Sequence, residues 1–220
     1  SKKMEALGTL AGGVAHDLNN VLSGVVSYPD LLLLDMPNDS PLRQPIEVIR
    51  ESGKKAAAIV EDLLTLARRG VHTDDILNLN DLIEAYLVSP EYLRLKSFHP
   101  LIDIKARLDP ALLNIMGSPI HLSKTIMNLV SNSAEAISDG GKITITTENR
   151  YLDRYSRSKK VPEGDYTVLT VSDSGVGIPT EALQRIFEPF FTKKKMGRSG
   201  TGLGMAVVWG TVEDHHGHID

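Results

Sequence analysis

Helical periodicity fills the first third of the chain and sets the terms for everything after it. From Leu7, apolar residues recur at Leu10, Val14, Leu18, Val21, Val25 and Leu32 in steps of three and four with one turn skipped, the spacing of an amphipathic α-helix. The pattern predicts a helix to about Met36, kinked at Pro29, whose ring removes a backbone donor. Met36-Pro37-Asn38-Asp39-Ser40-Pro41 is dense in turn formers. A second repeat follows at Ile46, Ile49, Gly53, Ala56, Val60, Leu63 and Ala67, ending at Arg68-Arg69-Gly70 with basic residues in the last turn and glycine beyond. Residues 1–70 are therefore expected to form a helical hairpin. Two helices cannot enclose their own apolar seam, and the economical solution is a four-helix bundle built by a homodimer.

After Gly70 the pattern changes. Residues 71–78 read as a linker, and residues 79–220 as an α/β layer domain with helices and short strands in alternation. A helix is expected over Leu79 to Ser89, a strand over Leu101 to Arg107 and a short strand at Asn114 to Met116. Ser118-Pro119 supplies a good N-cap and first residue for a helix to about Ser138. Strands are expected at Lys142 to Glu148 and Tyr166 to Asp173, joined by a charged loop, then a short helix after Pro179 and a last helix from about Gly202 to Asp214. Gly217 reads as that helix's C-cap.

Composition removes several classes of function. The chain has no cysteine, which excludes disulfide frameworks, thiolate zinc sites and cysteine nucleophiles and fits a reducing, cytoplasmic setting. A net charge of −4 gives no basic excess, so nucleic acid is not an expected partner. The longest apolar runs, such as Leu31 to Leu34, fall far short of the roughly 20 residues that cross a bilayer. Membrane attachment is expected only through segments outside this chain, which starts inside an amphipathic pattern as though cut from something longer.

One histidine stands on the wrong face. At 100° per residue, His16 points about 160° away from the apolar stripe of the first helix, and Asn20, one turn on, lies within about 40° of it. Asp17 is its neighbour. A His-Asp pair on a helix is commonly a plain polar surface. The chemistry it offers is that imidazole is a good nucleophile near neutral pH and an adjacent carboxylate can take or hold its proton.

Four further pieces, each weak alone, follow in order. Asn128 and Asn132 share the face of their helix opposite Leu122, Ile126, Leu129, Val130, Ser133 and Ile137, with Glu135 beside them, and a carboxamide oxygen is a hard ligand suited to Mg²⁺. Asp173 closes a strand in phase with Leu169 and Val171, so it is expected to point toward the helix layer, where it wants a donor such as an exocyclic amine. Ser174-Gly175-Val176-Gly177 permits positive φ and close approach of a flat ring. Phe187-Glu188-Pro189-Phe190-Phe191-Thr192-Lys193 precedes Gly200-Thr201-Gly202-Leu203-Gly204, whose amides open the last helix and can bind phosphate oxygens. His215, His216 and His218 lack any carboxylate spacing that would support a metal site.

In this order the pieces resemble the transmitter module of two-component sensor histidine kinases: Ala15-His16-Asp17-Leu18-Asn19-Asn20 matches the family's H box, Asn128 to Asn132 its N box, Asp173 to Gly177, Phe187 to Phe191 and Gly200 to Gly204 its G1, F and G2 boxes. Gly12 to Asn20 looks like the subgroup typified by nitrogen-regulation sensors. The resemblance implies a dimerisation and histidine-phosphotransfer hairpin followed by an ATP-binding domain of the type shared with gyrase and heat-shock chaperones, a mixed sheet covered by helices. It implies that His16 is the phospho-acceptor and Asp17 its neighbouring base, that Asn132 binds Mg²⁺ and Asn128 supports the phosphates, and that Asp173 meets the adenine amine in a site shaped by Gly175 and Gly177. Phe187 to Gly202 would form a lid over ATP, with Lys193 and the amides of Gly200, Thr201, Gly202, Leu203 and Gly204 near the phosphates. The phosphoryl group would pass from His16 to an aspartate of a response-regulator receiver domain, and Asn20 stands where family members with phosphatase activity orient a water.

Three departures accompany the likeness. Val21 replaces a frequent proline, Lys194-Lys195-Met196 leaves the lid's phosphate contacts open, and the family's final strands are absent after Asp220. Two alternatives stay open at this level: an ATP-binding but catalytically silent dimeric scaffold, and an ATPase or serine kinase of the same superfamily.

Overall fold

A computed structural model describes residues 2–67, 75–153, 161–192 and 201–220, with side chains from Leu18 onward except those of Asn19, Leu66 and Ala67. The chain divides into two compact units, Ser1–Arg69 and Gly70–Asp220.

The first unit is a hairpin of α1 (Lys2–Asp35) and α2 (Arg43–Ala67). Pro29 lies inside α1, which continues to Asp35. The turn closes through the amide of Ser40 on the carbonyl of Pro37 and that of Arg43 on Ser40, both 3.1 Å. The Arg43 guanidinium donates to the carbonyls of Met36 (3.1 Å) and Leu33 (3.4 Å), meeting acceptors that the end of α1 leaves without intrahelical donors. Gly53 is buried, and a Cβ there would stand 3.1 Å from Val25 Cγ1 and Val26 Cγ2, so the missing side chain lets the helices approach closely. The covered face of α1 differs from the expected one. Pro29 and Leu33 are buried and Leu22 and Val26 half-buried, one residue or about 100° round from the sequence stripe. Leu18, Val21, Val25 and Leu32, with Ile49 on α2, stay 40–67 % exposed.

The second unit contains β1 (Asp75–Leu77), α3 (Leu79–Leu87), α4 (Pro90–Phe98), β2 (Ile102–Arg107), β3 (Ile115–Gly117), α5 (Pro119–Glu135), β4 (Gly141–Leu152), β5 (Gly164–Asp173), α6 (Thr180–Leu183) and α7 (Gly204–Asp214). The main sheet runs β2-β4-β5, with β2 parallel to β4 and β4 antiparallel to β5, and β1 pairs with β3 in a separate ribbon. The sheet is thus mixed, as expected. Ile143, Ile145 and Thr147 alternate inward along β4. Ile145 joins Ile83, Tyr86, Ile126 and Val130 in one core cluster, and Ile143 joins Ile102, Ala134 and Ile137 in a second. Helix α5 owes its central place to this apolar face.

Three local expectations are corrected. Asp75–Leu77 is a strand inside the stretch read as linker, fixed by its ladder to Ile115–Gly117. Helix α4 occupies a stretch given no element in the sequence. Its N-cap is Ser89, whose Oγ accepts the amide of Tyr92 at 3.2 Å, with Pro90 at the first position. Ser118 holds the corresponding place before α5 yet makes no side-chain cap, because its hydroxyl pairs with His121 Nδ1 at 2.8 Å. Among the described residues no helix is long and apolar enough to cross a membrane.

Candidate functional site

The pieces noted in the second unit are set along α5, the start of α7 at Asn128 and the end of β5 at Ala136. Asn128 lies on α5 opposite its buried face, half-buried, and its Nδ2 donates to the carbonyl of Gly204, the first residue of α7, at 3.2 Å. Asn132, one turn on, is exposed. A Cβ on Gly204 would sit 3.4–3.7 Å from Asn128 side-chain atoms, so the helix start faces the carboxamide directly.

The β5 end is seated on α5 by its glycine. A Cβ on Gly175 would come within 2.6 Å of the Ala136 carbonyl oxygen, and the amide of Val176 donates to that oxygen at 3.1 Å. Only glycine permits this contact. Gly177 adopts φ +71° with nothing within 4 Å of its absent Cβ, so its need is conformational. Asp173 Oδ1 accepts the amide of Gly175 at 2.8 Å. Leu169 and Val171 pack against the core cluster as their phase predicts, and Asp173, paired with the inward-facing Ile143, keeps that phase while standing exposed at the strand's end.

On the glycine-rich side, Gly202 adopts φ +70° with its Cα side pressed on the backbone of Phe190, and the Phe190 amide donates to the Gly202 carbonyl at 2.9 Å. Thr201 Oγ1 accepts the amide of Leu203 at 3.2 Å. Leu203 itself is fully buried, so its side chain is a core anchor and its amide is already donated. Lys193 and Gly200 lie outside the described residues. Phe187 meets Trp209 of α7 with ring centroids 4.9 Å apart and planes tilted by 46°.

Beside Asn128 a cavity of about 640 Å³ opens between α4 and α5, with Arg94 and His99 on one wall and Asn128, Ser131 and Glu135 on the other. Tyr86 lines it too, and burial, reinforced by Tyr92 and Glu91, pushes its phenol up to about 12. The α4 wall escaped the sequence reading together with α4. The Ser89-Pro90 pair was the available signal.

In the first unit, His16 and Asp17 belong to α1 while their side chains lie outside the described residues; Asn20 is exposed.

Comparison with known proteins decides the family. Residues 6–71 match the His Kinase A (phospho-acceptor) domain, and residues 117–220 match the histidine kinase-, DNA gyrase B-, and HSP90-like ATPase family. The chain belongs to the histidine kinases. Sensor kinase CckA of Brucella abortus is 36 % identical over 100 % of this chain and 23 % of its own length, and sensor histidine kinase ZraS of Klebsiella oxytoca is 33 % identical over 100 % of the chain and 44 % of its own. This histidine kinase chain thus spans less than half the length of either relative. Among solved structures, histidine kinase ThkA in complex with response regulator protein TrrA matches 98 % of the chain and 57 % of its own at 25 % identity and TM-score 0.59. Full-length ShkA in complex with AMPPNP matches 94 % of the chain and 41 % of its own at 21 % identity and TM-score 0.65, a likeness of fold. The phospho-acceptor match contains His16, Asp17 and Asn20, and the ATPase match contains every other candidate residue from Asn128 to Gly204.

Proposed function

We propose that the chain is the transmitter of a sensor histidine kinase that transfers the γ-phosphoryl group of ATP to His16 and passes it on to an aspartate of a response-regulator receiver domain. The observation that carries this reading is that α5 holds two of the pieces, meeting the first residue of α7 through Asn128 and seating the Asp173–Gly175 turn at Ala136, in a chain whose α1 carries His16. The imidazole attacks in line, Asp17 takes or holds its proton, and positioning with charge neutralisation supplies the rate.

Each residue has a task that its surroundings suit. The Asp173 carboxylate is exposed and keeps one oxygen beyond its bond to Gly175, enough to accept the adenine amine. Gly175 and Gly177 hold the flat turn beneath the base. Asn128 and the backbone of Thr201, Gly202 and Gly204 flank the phosphates, joined by Lys193 and Gly200; Leu203 contributes by anchoring the helix start. The lid expected over residues 187–202 includes residues 193–200, which lie outside the described residues.

The residues fit Mg²⁺ of one kind only. Among the described residues no cluster of three His, Cys, Asp or Glu side chains could hold a metal alone. Asn132 offers an exposed carboxamide oxygen, which suits a cation that keeps most of its ligands as phosphate oxygens and water. Mg²⁺ there would neutralise phosphate charge.

The hairpin supplies the second half of the reading. The exposed stripe of Leu18, Val21, Val25 and Leu32 suits burial against a second copy, giving a homodimeric four-helix bundle in which the hairpin unit dimerises and the second unit, which takes in strand β1, binds nucleotide. Asn20, exposed one turn from His16, suits a water-orienting role in dephosphorylating the regulator. The Gly12 to Asn20 sequence keeps the chain in the nitrogen-regulation-like subgroup, and a cytoplasmic location follows from the need for ATP. Calorimetric titration with ADP tests the nucleotide site: binding that requires Mg²⁺ in the native chain and loses that requirement in Asn132→Ala supports it, and no binding refutes it.

A further inference from the structure

Helix α7 is cross-linked to α5 at both of its own ends, once at the middle of α5 and once at its N-cap. Asn128 Nδ2 donates to the Gly204 carbonyl at the candidate site, and at the far end the amide of Ser118 donates to His215 Nε2 at 2.9 Å. The two bonds are ten residues apart along α5 and its cap (128 − 118) and eleven along α7 and its cap (215 − 204), about 15 and 17 Å of helix. The helices therefore run antiparallel in matched register.

The partners fix the state of the imidazole. A backbone N–H can only donate, so Nε2 accepts; the Thr211 carbonyl, 2.7 Å from Nδ1, can only accept, so Nδ1 carries the proton. The ring is a neutral acceptor facing α5. It also fits its seat closely, since a Cβ on Gly117 would stand 2.8 Å from His215 Cδ2. Ser118 is buried, and its hydroxyl is held by His121.

Apolar burial alone cannot set this register. Leu203, Ala206, Val207 and Val208 decide which face of α7 turns inward, but such contacts are non-directional and tolerate axial slip. The N-terminal end of α7 has no side-chain cap and follows the Thr201-Gly202 turn. The directional contacts between the two helices are the Asn128–Gly204 bond itself and, at the far end, the Ser118–His215 bond.

We propose that His215 is a positioning residue for the nucleotide site, acting through the axial register of α7 on α5. The inference rests on the nucleotide-site reading above and assigns the histidine its part in it. Two isosteric halves of imidazole separate the roles. In His215→Gln the side-chain oxygen reaches the Nε2 position and can accept from Ser118, whereas in His215→Asn the carboxamide stays at the Nδ1 position and serves only Thr211.

The test compares the two variants with the native chain by ADP titration with Mg²⁺ and by amide exchange at Val207, whose N–H bonds to Leu203 at the start of α7. His215→Asn should weaken ADP binding about tenfold and speed exchange at Val207, while His215→Gln should stay within about threefold of native in both. Equal behaviour of the two variants, or native exchange at Val207 in His215→Asn, overturns the proposal. A native chain that binds no ADP refutes the nucleotide site itself, and exchange at Val207 then still decides the register claim.

Discussion

The side-chain amide of Asn128 meets the carbonyl of Gly204 across 3.2 Å, joining the middle of one helix to the first residue of another 76 positions later. Gly204 has room for a methyl group at 3.4–3.7 Å from Asn128. Gly204→Ala should leave the melting temperature unchanged or raise it, since alanine gains up to about 1 kcal/mol over glycine in a helix. Its ADP affinity should nonetheless fall, because the methyl covers the edge a phosphate must reach. Calorimetry and titration on one preparation read both effects.

Gly175 should tolerate nothing larger. The added Cβ of Gly175→Ala meets the carbonyl of Ala136 at 2.6 Å, and displacing backbone in a packed region costs about 1–3 kcal/mol. Melting should drop by roughly 2–10 °C. Gly177 is the contrast: with open space but φ +71°, Gly177→Ala should cost about 1 kcal/mol, and Gly177→Asn less, because asparagine enters the left-handed region more readily.

The end of α7 carries an improvable residue. His216 takes φ 53°, its amide bonds to Glu213 at 3.0 Å, and the amide of Gly217 bonds to Val212 at 2.8 Å. This is a Schellman closure with histidine at the left-handed place and glycine one position late. His216→Gly should stabilise the second unit by about 0.5–1 kcal/mol, read as a higher denaturant midpoint.

Tyr86 should make stability fall at alkaline pH. Its phenol is raised to about 12 in the fold, first by burial and then by Tyr92 and Glu91, against about 10 in an unfolded chain. The unfolded state releases the proton first, so the contribution of the neutral phenol is complete below about pH 10 and is lost as pH climbs toward about 12. Urea midpoints at about pH 9 and about pH 11 should diverge more in the native chain than in Tyr86→Phe.

Strong repeats made much of this fold legible. The apolar face of α5 and the alternation of β4 are each set by burial on one side, which is what a sequence period records. The face of α1 was read one residue off because its seam carries apolar residues on two adjacent stripes, only one of which α2 covers. Strand β1 is three residues long, too short for any period, and is held by its partner β3. Helix α4 has no fully buried residue and packs on the core only through the half-buried Tyr92 and Leu95, so periodicity passed over it although Ser89-Pro90 announced its start. The site pieces Asn128, Asp173, Gly175 and Gly204 were named from residue type and order. The pairing of His215 with Ser118 was not, because a bond across 97 positions leaves no local pattern.

The central claim is that α1 carries a phospho-acceptor served by the nucleotide site of the second unit. Incubating the chain with γ-labelled ATP and Mg²⁺, then testing the label's stability, measures it most directly. The expected result is a label that is acid-labile and alkali-stable, and absent from His16→Gln. A label that survives His16→Gln, or a native chain that binds ATP yet acquires no such label, would contradict it.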